Sequence, residues 1–454
     1  MRKAVLVLVI LSAALALRAD SPNVYAIRGA RIVTAAGAPI DSGTIVIRRG
    51  LIEAVGANVS IPSDAEIVEG SGLSVYPGLI DLGNTRAADV PIPQAPQNPR
   101  TTAELERWKR DQILKPQTRA ADAVKVDDPE MTRLAAAGIT SVLAVPSGDV
   151  IAGQSALVNV AAPPDEPQIG NIVEPRRDLV VIKPAVALHV SFPDRPRAGG
   201  NAYPESLMGV IAFVRQSFLD AQRYQAVHNG GPQWAAREGP QWAAGENDSA
   251  LEAMQPAIER KMPVAFEANE AREIERVLKM AKELKLDPIV TGARNAGEVA
   301  GDLKNVRVIY SLNYPTRPRT LAPDADESLE TLRTRANAPK VPGELAKAGV
   351  TFAFESAGLG DPKDFVKNAA KAVKAGLAPD AAIRAMTIDA AKIAGAGDRL
   401  GSIEKGKSAN LIVTDGDLFD EKTTVKKVFV DGRAVAIEAA AAAPGGRGRG
   451  RGQQ

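Results

Sequence analysis

Short apolar runs alternate with helical segments through the middle of this chain. Runs such as "GITSVLAV", "MPVAFEA", "DPIVTG", "VRVIYS" and "VTFAFES" are separated by polar, helix-forming stretches. Strands of parallel sheets have this composition because crossover helices cover both faces of the sheet. Counting also "LSVYPGLIDL", "SALVNV" and "AVALHVSF", about eight strand–helix units are present, which predicts an α/β fold of the closed (β/α)8 type.

Two of the helical segments carry specific signals. In "EAREIERVLKMAKELK" the apolar residues Ile274, Val277, Leu278 and Leu284 recur at helical spacing, with charged residues between them. "LAPDAAIRAM" places Pro379 at the start of a segment, as a helix N-terminus requires. Both segments therefore predict helices of the kind that cover a parallel sheet.

The two ends of the chain have a different pattern. "VYAIRGARIVT" and "GTIVIRRGLIEAVG" near the start, and "TTVKKVFVDGRAV" near the end, alternate apolar and polar residues between glycine turns. Such alternation predicts hairpins with one buried face. Residues 20–74 and 398–437 are therefore expected to pair into one small β-sandwich domain beside a barrel of residues 75–397.

The extreme ends are expected to stand outside the folded domains. "MRKAVLVLVILSAALALRAD" has a basic start, an apolar run and small residues before a cleavage point. This pattern predicts a signal peptide over residues 1–19 and a periplasmic or secreted location. The run is too short to span a bilayer comfortably, so no membrane span is expected after its removal. The Ala/Gly/Arg-rich residues 438–454 predict a disordered tail.

Composition excludes several functions. The net charge is +2 and only 4% of residues are aromatic, so nucleic acid is not an expected partner. There is no cysteine, which excludes disulfides, thiolate nucleophiles and cysteine metal sites. Only two histidines occur, His189 and His228. His228 precedes "NGG" at the end of a helical run, where it is expected to lie against the helix C-terminus.

Two long stretches in the correct order resemble a known family. "GLIEAVGANVSIPSDAEIVEGSGLSVYPGLID" (residues 50–81) and "MTIDAAKIAGAGDRLGSIEKGKSANLIVTDGDLFD" (residues 386–420) are similar to the opening and closing segments of the amidohydrolase superfamily, in its exported, imidazolonepropionase-like branch. The resemblance spans nearly the whole chain after the signal segment. It implies a (β/α)8 barrel flanked by a small β domain, with the active site at the carboxyl ends of the strands.

The resemblance also implies one or two divalent metals, usually zinc, that convert bound water to hydroxide. The family's first ligands are a His-x-His pair directly after the "PGLID" strand, where this chain has Gly83 and Thr85. A later ligand histidine falls on Glu267, and the last-strand aspartate falls on Ala357. These residues cannot form the usual binuclear site, so no cofactor is predicted although the family would use one.

Polar residues remain at the predicted strand ends. Glu267 and Glu355 are the candidate catalytic acids, because an acid at an apolar strand end is costly without a partner. His189 shares a strand face with small residues and is a candidate for ligand binding. The other candidates for contacting a ligand are Asn269, Arg294 and Arg317.

Two functions follow from these observations. By resemblance the protein is a hydrolase of C–N bonds other than peptide bonds, with the usual metal site degraded. The alternative is a catalytically inactive, metal-free relative that binds a small ligand or a partner in the same barrel mouth. In either case a small molecule is the expected partner, and an oligomer is compatible with the sequence.

Overall fold

Strands from the two ends of the chain meet in one β-sheet. The computed structural model describes residues 24–91, 101–125, 128–148, 150–161, 180–194, 203–228, 247–322 and 324–437. The predicted signal peptide (residues 1–19) and the predicted tail (residues 438–454) lie outside these residues. The division into domains at residues 74 and 397 stays a prediction.

The strands are β1 Val24–Ile32, β2 Ile40–Arg48, β3 Leu51–Gly56, β4 Glu66–Glu69, β5 Ser74–Pro77, β6 Leu79–Asn84, β7 Ile139–Ala144, β8 Ile151–Gln154, β9 Ala156–Asn159, β10 Val181–Lys183, β11 Leu188–Val190, β12 Val264–Ala268, β13 Pro288–Gly292, β14 Arg307–Ser311, β15 Phe352–Glu355, β16 Leu411–Thr414, β17 Val425–Val430 and β18 Arg433–Val435. The helices are α1 Thr102–Ile113, α2 Pro129–Ala136, α3 Leu207–His228, α4 Ser249–Ala253, α5 Gln255–Ile258, α6 Ala271–Leu284, α7 Leu329–Asn337, α8 Val341–Lys347, α9 Lys363–Lys374, α10 Pro379–Met386 and α11 Ile388–Ile393. Short 3-10 turns lie at Ala120–Ala123, Ala296–Val299 and Ala338–Lys340.

The terminal sheet has the strand order β18-β17-β16-β5-β1-β2-β3, and β4 also pairs with β1. Its junction is the antiparallel pairing of β5 with β16, where Ser74 lies opposite Thr414 and Pro77 opposite Leu411. Alternate residues of these strands, such as Ile45 and Ile47, are buried in a core that also contains Leu411. The prediction that both ends pair with each other is therefore observed as one shared sheet, and its description as a β-sandwich stays a prediction.

The middle of the chain forms two further sheets in the described residues. One has the order β10-β9-β7-β6 and the other the order β15-β14-β13-β12-β11-β8. Strand β6 is parallel to β7, and β11 to β15 are parallel to one another in succession. The fold is therefore a mixed α/β fold with a long parallel run, and the closed eight-stranded barrel stays a prediction.

One strand–helix unit was predicted wrongly. The run "SALVNV" contains β9, which pairs antiparallel with β7 instead of forming a parallel strand followed by a helix. The physical reason is the length of the connection: only residues 145–155, which also include β8, separate β7 from β9, and a parallel connection needs a crossover of a dozen or more residues, usually a helix. Apolar content alone does not distinguish the two pairing directions.

The two predicted helices are confirmed as α6 and α10. In α6 the residues Ile274, Val277 and Leu284 are buried as expected, whereas Leu278 is partly buried and Met280 is buried beside them. In α10, Pro379 occupies the first turn and the chain before it is extended. No helix in the described part of the chain is long and apolar enough to cross a membrane.

A cluster of apolar side chains lies between the parallel strands and α11, and we call it the inner cluster. Its members project from the middle of successive strands, and residues of α11 and the following turn close one end. They include Ile80, Leu82, Leu143, Leu157, Ala187, Ala265, Ile289, Ile309, Ala353, Ala390, Ala391, Ile393 and Ala394. The inner cluster is the apolar floor on which the candidate site stands.

Candidate functional site

The candidate site is a layer of polar side chains that lies two residues further along each strand than the apolar residues of the inner cluster. Side chains two residues apart on a strand point to the same face, so each apolar residue of the floor is followed by one that faces the same interior. In this way Ala187 leads to His189, Ala265 to Glu267, Ile289 to Thr291 and Ala353 to Glu355. All four of these polar residues line one cavity of about 490 Å³.

The structure brings most of the predicted positions together. The cavity is lined by His189, Glu267 and Glu355 and by the family's metal positions, Gly83, Thr85 and Ala357. Positions that were chosen on separate strands therefore form a single site.

Three predicted ligand-binding residues are placed differently. Asn269 donates its backbone N–H to Glu273 at the start of α6 and is not part of the cavity wall. Arg317 binds the carboxylate of Glu327, with Nη1 2.9 Å from Oε2, and also donates to backbone carbonyls of its own loop. Arg294 does not line the cavity but lies close enough to lower the pKa of Glu267. Their binding roles stay predictions.

The second histidine and Lys183 lie away from the cavity. His228 is the last residue of α3, and its Nδ1 lies 3.0 Å from the carbonyl oxygen of Tyr224 while its ring stacks on the Tyr224 ring. This placement matches the helix-end position expected from the sequence. Lys183 donates from Nζ to the carbonyl oxygen of Ala394, beside the apolar floor.

Gly83 and Glu355 fit each other closely. A Cβ atom on residue 83 would lie 2.5 Å from Oε2 and 2.6 Å from Cβ of Glu355. Real Cβ atoms do not approach other heavy atoms so closely, so any side chain on residue 83 would have to displace Glu355. The carboxyl of Glu355 therefore takes the space where the first family histidine would begin.

Asp81 joins the edges of the two middle sheets. It is completely buried, and its Oδ1 accepts hydrogen bonds from the N–H groups of Ser356 at 2.8 Å and Gly83 at 3.1 Å. Its Oδ2 accepts from the Ser356 hydroxyl at 2.5 Å. We call these contacts the Asp81–Ser356 link. It holds the end of β6 against the end of β15 and thereby fixes Glu355 over Gly83.

Glu355 is the most strongly perturbed acid of the site. Burial is the main cause that raises the pKa of its carboxyl well above 4.5, and the charges of Asp81 and Glu267 raise it further. A hydrogen bond from the N–H of Gly292 acts in the opposite direction. Burial also raises the pKa of Asp81, but that carboxyl accepts hydrogen bonds from Ser356 and Gly83, which favour its ionised form. Burial and the neighbouring charges therefore favour the protonated form of Glu355.

Glu267 has a more open environment than Glu355. Protein surrounds the group on most sides, yet its side chain is exposed to the solvent that enters the cavity. Burial and the charge of Glu273 raise the pKa of Glu267, and the charge of Arg294 lowers it. The two acids of the cavity thus differ in solvation.

His189 contributes a neutral imidazole. Burial lowers its pKa to about 4, so the ring is uncharged near neutral pH. Its Nε2 is shielded from solvent and has no hydrogen-bond partner among the described residues. A buried polar atom without a partner is uncommon in native proteins and points to a bound molecule or water.

Lys115 is a site residue that the sequence did not reveal. It is buried, lines the cavity, and donates from Nζ to the carbonyl oxygen of Ser147 at 3.4 Å. Its backbone N–H is bound to Ile151 of β8 at 2.8 Å, which fixes the residue on the cavity wall. The local segment "LKPQTR" carries no signal for this role, because only the pairing with β8 brings Lys115 to the site.

The residues present do not fit the metal centre that the family resemblance implies. No group of three or more His, Asp or Glu side chains in the described ranges is placed to hold a metal ion. Gly83 and Ala357 have no donor atom, and Glu355 fills the space beside Gly83. Divalent zinc requires about four converging nitrogen, oxygen or sulfur ligands, and these side chains do not provide such a set.

The raised pKa of Glu355 predicts a pH-dependent stability. Because the folded-state pKa exceeds that of the unfolded chain, the stabilising protonation is complete below about pH 4.5 and is lost as the pH rises through the folded value. We therefore expect Glu355→Gln, which cannot ionise, to gain stability relative to the wild type as the pH rises. Urea unfolding between about pH 5 and about pH 8 measures this difference.

The control for that experiment is Glu275→Gln, which removes an exposed glutamate on α6. The free energy of unfolding of this variant should change with pH in the same way as that of the wild type. If the free energies of unfolding of wild type and Glu355→Gln differed by the same amount at every pH, Glu355 would be ionised in the folded protein over the whole pH range.

Comparisons with known proteins are consistent with this fold. Residues 228–435 match the family model described as Amidohydrolase family. The curated amidohydrolase tasK of Hapsidospora irregularis is 24% identical over 408 residues, which are 86% of this chain and 40% of that protein. The chain therefore spans less than half the length of this curated relative.

Solved structures share the architecture over nearly the whole chain. An amidohydrolase from Thermotoga maritima MSB8 has a TM-score of 0.70 at 24% identity, covering 91% of this chain and 99% of that one. Phenylurea hydrolase B has a TM-score of 0.51 at 15% identity, covering 93% and 98%. Similarity at these identities establishes the fold and not the chemistry. Residues 228–435 thus match the Amidohydrolase family, and the chain shares its fold with a solved amidohydrolase.

Proposed function

We propose that this protein binds a small molecule in the cavity without a divalent metal. The observation that carries the proposal is the close fit of Glu355 over Gly83, at the position where the superfamily's first metal ligand would begin. A site that had merely lost its ligands would contain empty space at residue 83. Here a buried carboxyl fills that space, and a cavity of about 490 Å³ remains in front of it. A volume of this size suits a small molecule.

A second candidate is a metal-independent hydrolase of C–N bonds other than peptide bonds. It is favoured by the two carboxyls that line one cavity in different environments, Glu267 and Glu355. Two acids with different proton affinities can serve as general base and general acid. In this reading Glu267, which is open to solvent, would activate water, and Glu355 would protonate the leaving nitrogen.

One set of measurements separates these functions. The purified protein is dialysed with and without a chelator, and its metal content is determined by atomic emission. Thermal shift and hydrolysis are then followed with a panel of cyclic amides and N-acyl amino acids. We expect substoichiometric metal and a rise in melting temperature with some panel members, unchanged by the chelator.

The outcomes decide between the candidates. Stoichiometric zinc that survives dialysis would contradict both. Binding without turnover supports the ligand-binding function. Turnover that persists in chelator and is lost in Glu267→Gln supports the second candidate, with Glu275→Gln as the matched control. The placement in the imidazolonepropionase-like branch stays a proposal from the sequence.

A further inference from the structure

We propose that the carboxyl of Glu355 acts as a neutral hydrogen-bond donor to the carbonyl oxygen of an uncharged ligand, in the cavity that Gly83, Thr85 and Ala357 also line. The inference rests on the proposed function and adds the chemistry of recognition to it. A metal would attract a carbonyl oxygen by its positive charge. A protonated carboxyl attracts the same atom by its O–H group.

The buried side chain of Glu355 lies on the wall of the cavity. The residue lies at the end of β15 and is 8% exposed, with its side chain packed over Gly83. The oxygens of Asp81 are already occupied by the Asp81–Ser356 link, so they are poor acceptors for a further hydrogen bond. Gly292 donates its N–H to the Glu355 carboxyl. In the proposed arrangement the acidic hydrogen of Glu355 is therefore donated to a molecule in the cavity.

The charged groups around Glu355 favour the protonated form. Asp81 on β6 and Glu267 on β12 raise its pKa, in addition to burial. His189 on β11 is uncharged near neutral pH, because burial lowers its pKa to about 4. The cations near the cavity are Lys115, on its wall, and Arg294, whose charge acts on Glu267. Neighbouring carboxyls disfavour each other's ionisation, and Glu355 accepts fewer hydrogen bonds than Asp81 does.

His189 supplies an independent indication of a ligand. The residue lines the same cavity, and its Nε2 is shielded from solvent and has no partner among the residues that the structure describes. A neutral imidazole carries one acceptor and one donor nitrogen, so it can bind an N–H group or an oxygen. Together with Glu355 it suits a ligand that presents a carbonyl oxygen next to a polar hydrogen. An anionic ligand would meet repulsion from Glu267 on the cavity wall.

The first test measures the proton directly. Infrared difference spectra of the full-length protein at about pH 7 are recorded for wild type and Glu355→Gln, with glutamate labelled by carbon-13. We expect a carbonyl band of a protonated carboxyl that is present in the wild type and absent in the variant. The absence of such a band in the wild type would overturn the proposal, whatever ligand is used.

The second test compares variants at residue 355. The probes are 2-pyrrolidinone and hydantoin, both uncharged, and propionate as an anion of similar size, titrated by saturation-transfer NMR in the presence of chelator. The amide of Glu355→Gln still donates a hydrogen bond, so its Kd should stay within about threefold of the wild type. Glu355→Leu leaves no donor and should weaken binding about tenfold or more. Propionate should bind more weakly than either uncharged probe.

Each result has a defined meaning. Equal loss in Glu355→Gln and Glu355→Leu would show that the carboxylate is required, which overturns the donor role while the proposed binding function stands. Unchanged affinity in both variants would also overturn the donor role. No binding of either neutral probe to the wild type contradicts the proposed function as well. If the leucine variant does not fold by circular dichroism, Glu355→Met replaces it.

Discussion

Asp81→Ala should lower the free energy of unfolding by about 3 kcal/mol or more, because it leaves four buried donors without an acceptor. These donors are the N–H groups of Ser356 and Gly83, the hydroxyl of Ser356 and the side-chain amide of Asn84. Each buried donor that loses its partner costs about 1–3 kcal/mol. The loss of the buried carboxyl itself relieves a desolvation penalty, since burial raises the pKa of Asp81, and this offsets part of the cost. Urea unfolding at constant pH measures the change.

Three further variants show whether the Asp81–Ser356 link is the cause. Asp81→Asn keeps an acceptor oxygen for the two N–H groups and should cost less than Asp81→Ala. Ser356→Ala removes one donor and should cost about 1 kcal/mol. Asp89→Ala, at an exposed aspartate near the same strand end, should change stability by less than about 0.5 kcal/mol. Equal effects of Asp81→Ala and Asp89→Ala would show that the link contributes nothing to stability.

Gly83→Ala should destabilise the protein by about 1–3 kcal/mol, because the new Cβ would overlap Glu355. The overlap involves both Oε2 at 2.5 Å and Cβ at 2.6 Å, so a rotation of the Glu355 side chain cannot relieve it. Only removal of the Glu355 Cβ would make room. We therefore expect that Glu355→Ala does not rescue Gly83→Ala and that Glu355→Gly does.

A double-mutant cycle measures this coupling. The four proteins are wild type, Gly83→Ala, Glu355→Gly and the double variant, and the coupling energy should exceed about 1 kcal/mol in the favourable direction. The cycle cancels the intrinsic cost of glycine in β15, which is about 0.5–1 kcal/mol. Gly301→Ala is the matched control, since a Cβ there would meet nothing within 4 Å. Additive effects in the cycle would contradict the fit of Gly83 and Glu355, and with it the observation on which the proposed function depends.

Much of the fold could be predicted from local patterns. Amphipathic spacing located α6, and a proline at the first turn located α10, because both signals come from residues within one turn of each other. The pairing of the two ends followed from the alternation of apolar residues and from the order of the two similar stretches. The antiparallel insertion of β8, β9 and β10 could not be predicted, since a short apolar run has the same composition in either pairing direction.

The candidate site was only partly predictable for a related reason. Strand ends in a parallel sheet meet at one edge, so Glu267, Glu355 and His189 could be grouped from the sequence alone. Their mutual fit could not be, because the overlap between residue 83 and Glu355 depends on how two distant strand ends approach each other. Lys115 was missed because a loop after α1, and not a strand, carries it to the cavity.

The shared terminal sheet has a consequence for the order of folding. Strand β5 ends at Pro77 and needs β16, which begins at Leu411, so the contact spans most of the chain. During synthesis the edge of β5 that pairs with β16 stays unpaired until β16 has been made. Unpaired strand edges pair readily with other chains. Contacts of this range also slow folding, because a long loop must close before they stabilise anything. We infer that the middle sheets form first and that the terminal sheet is completed last.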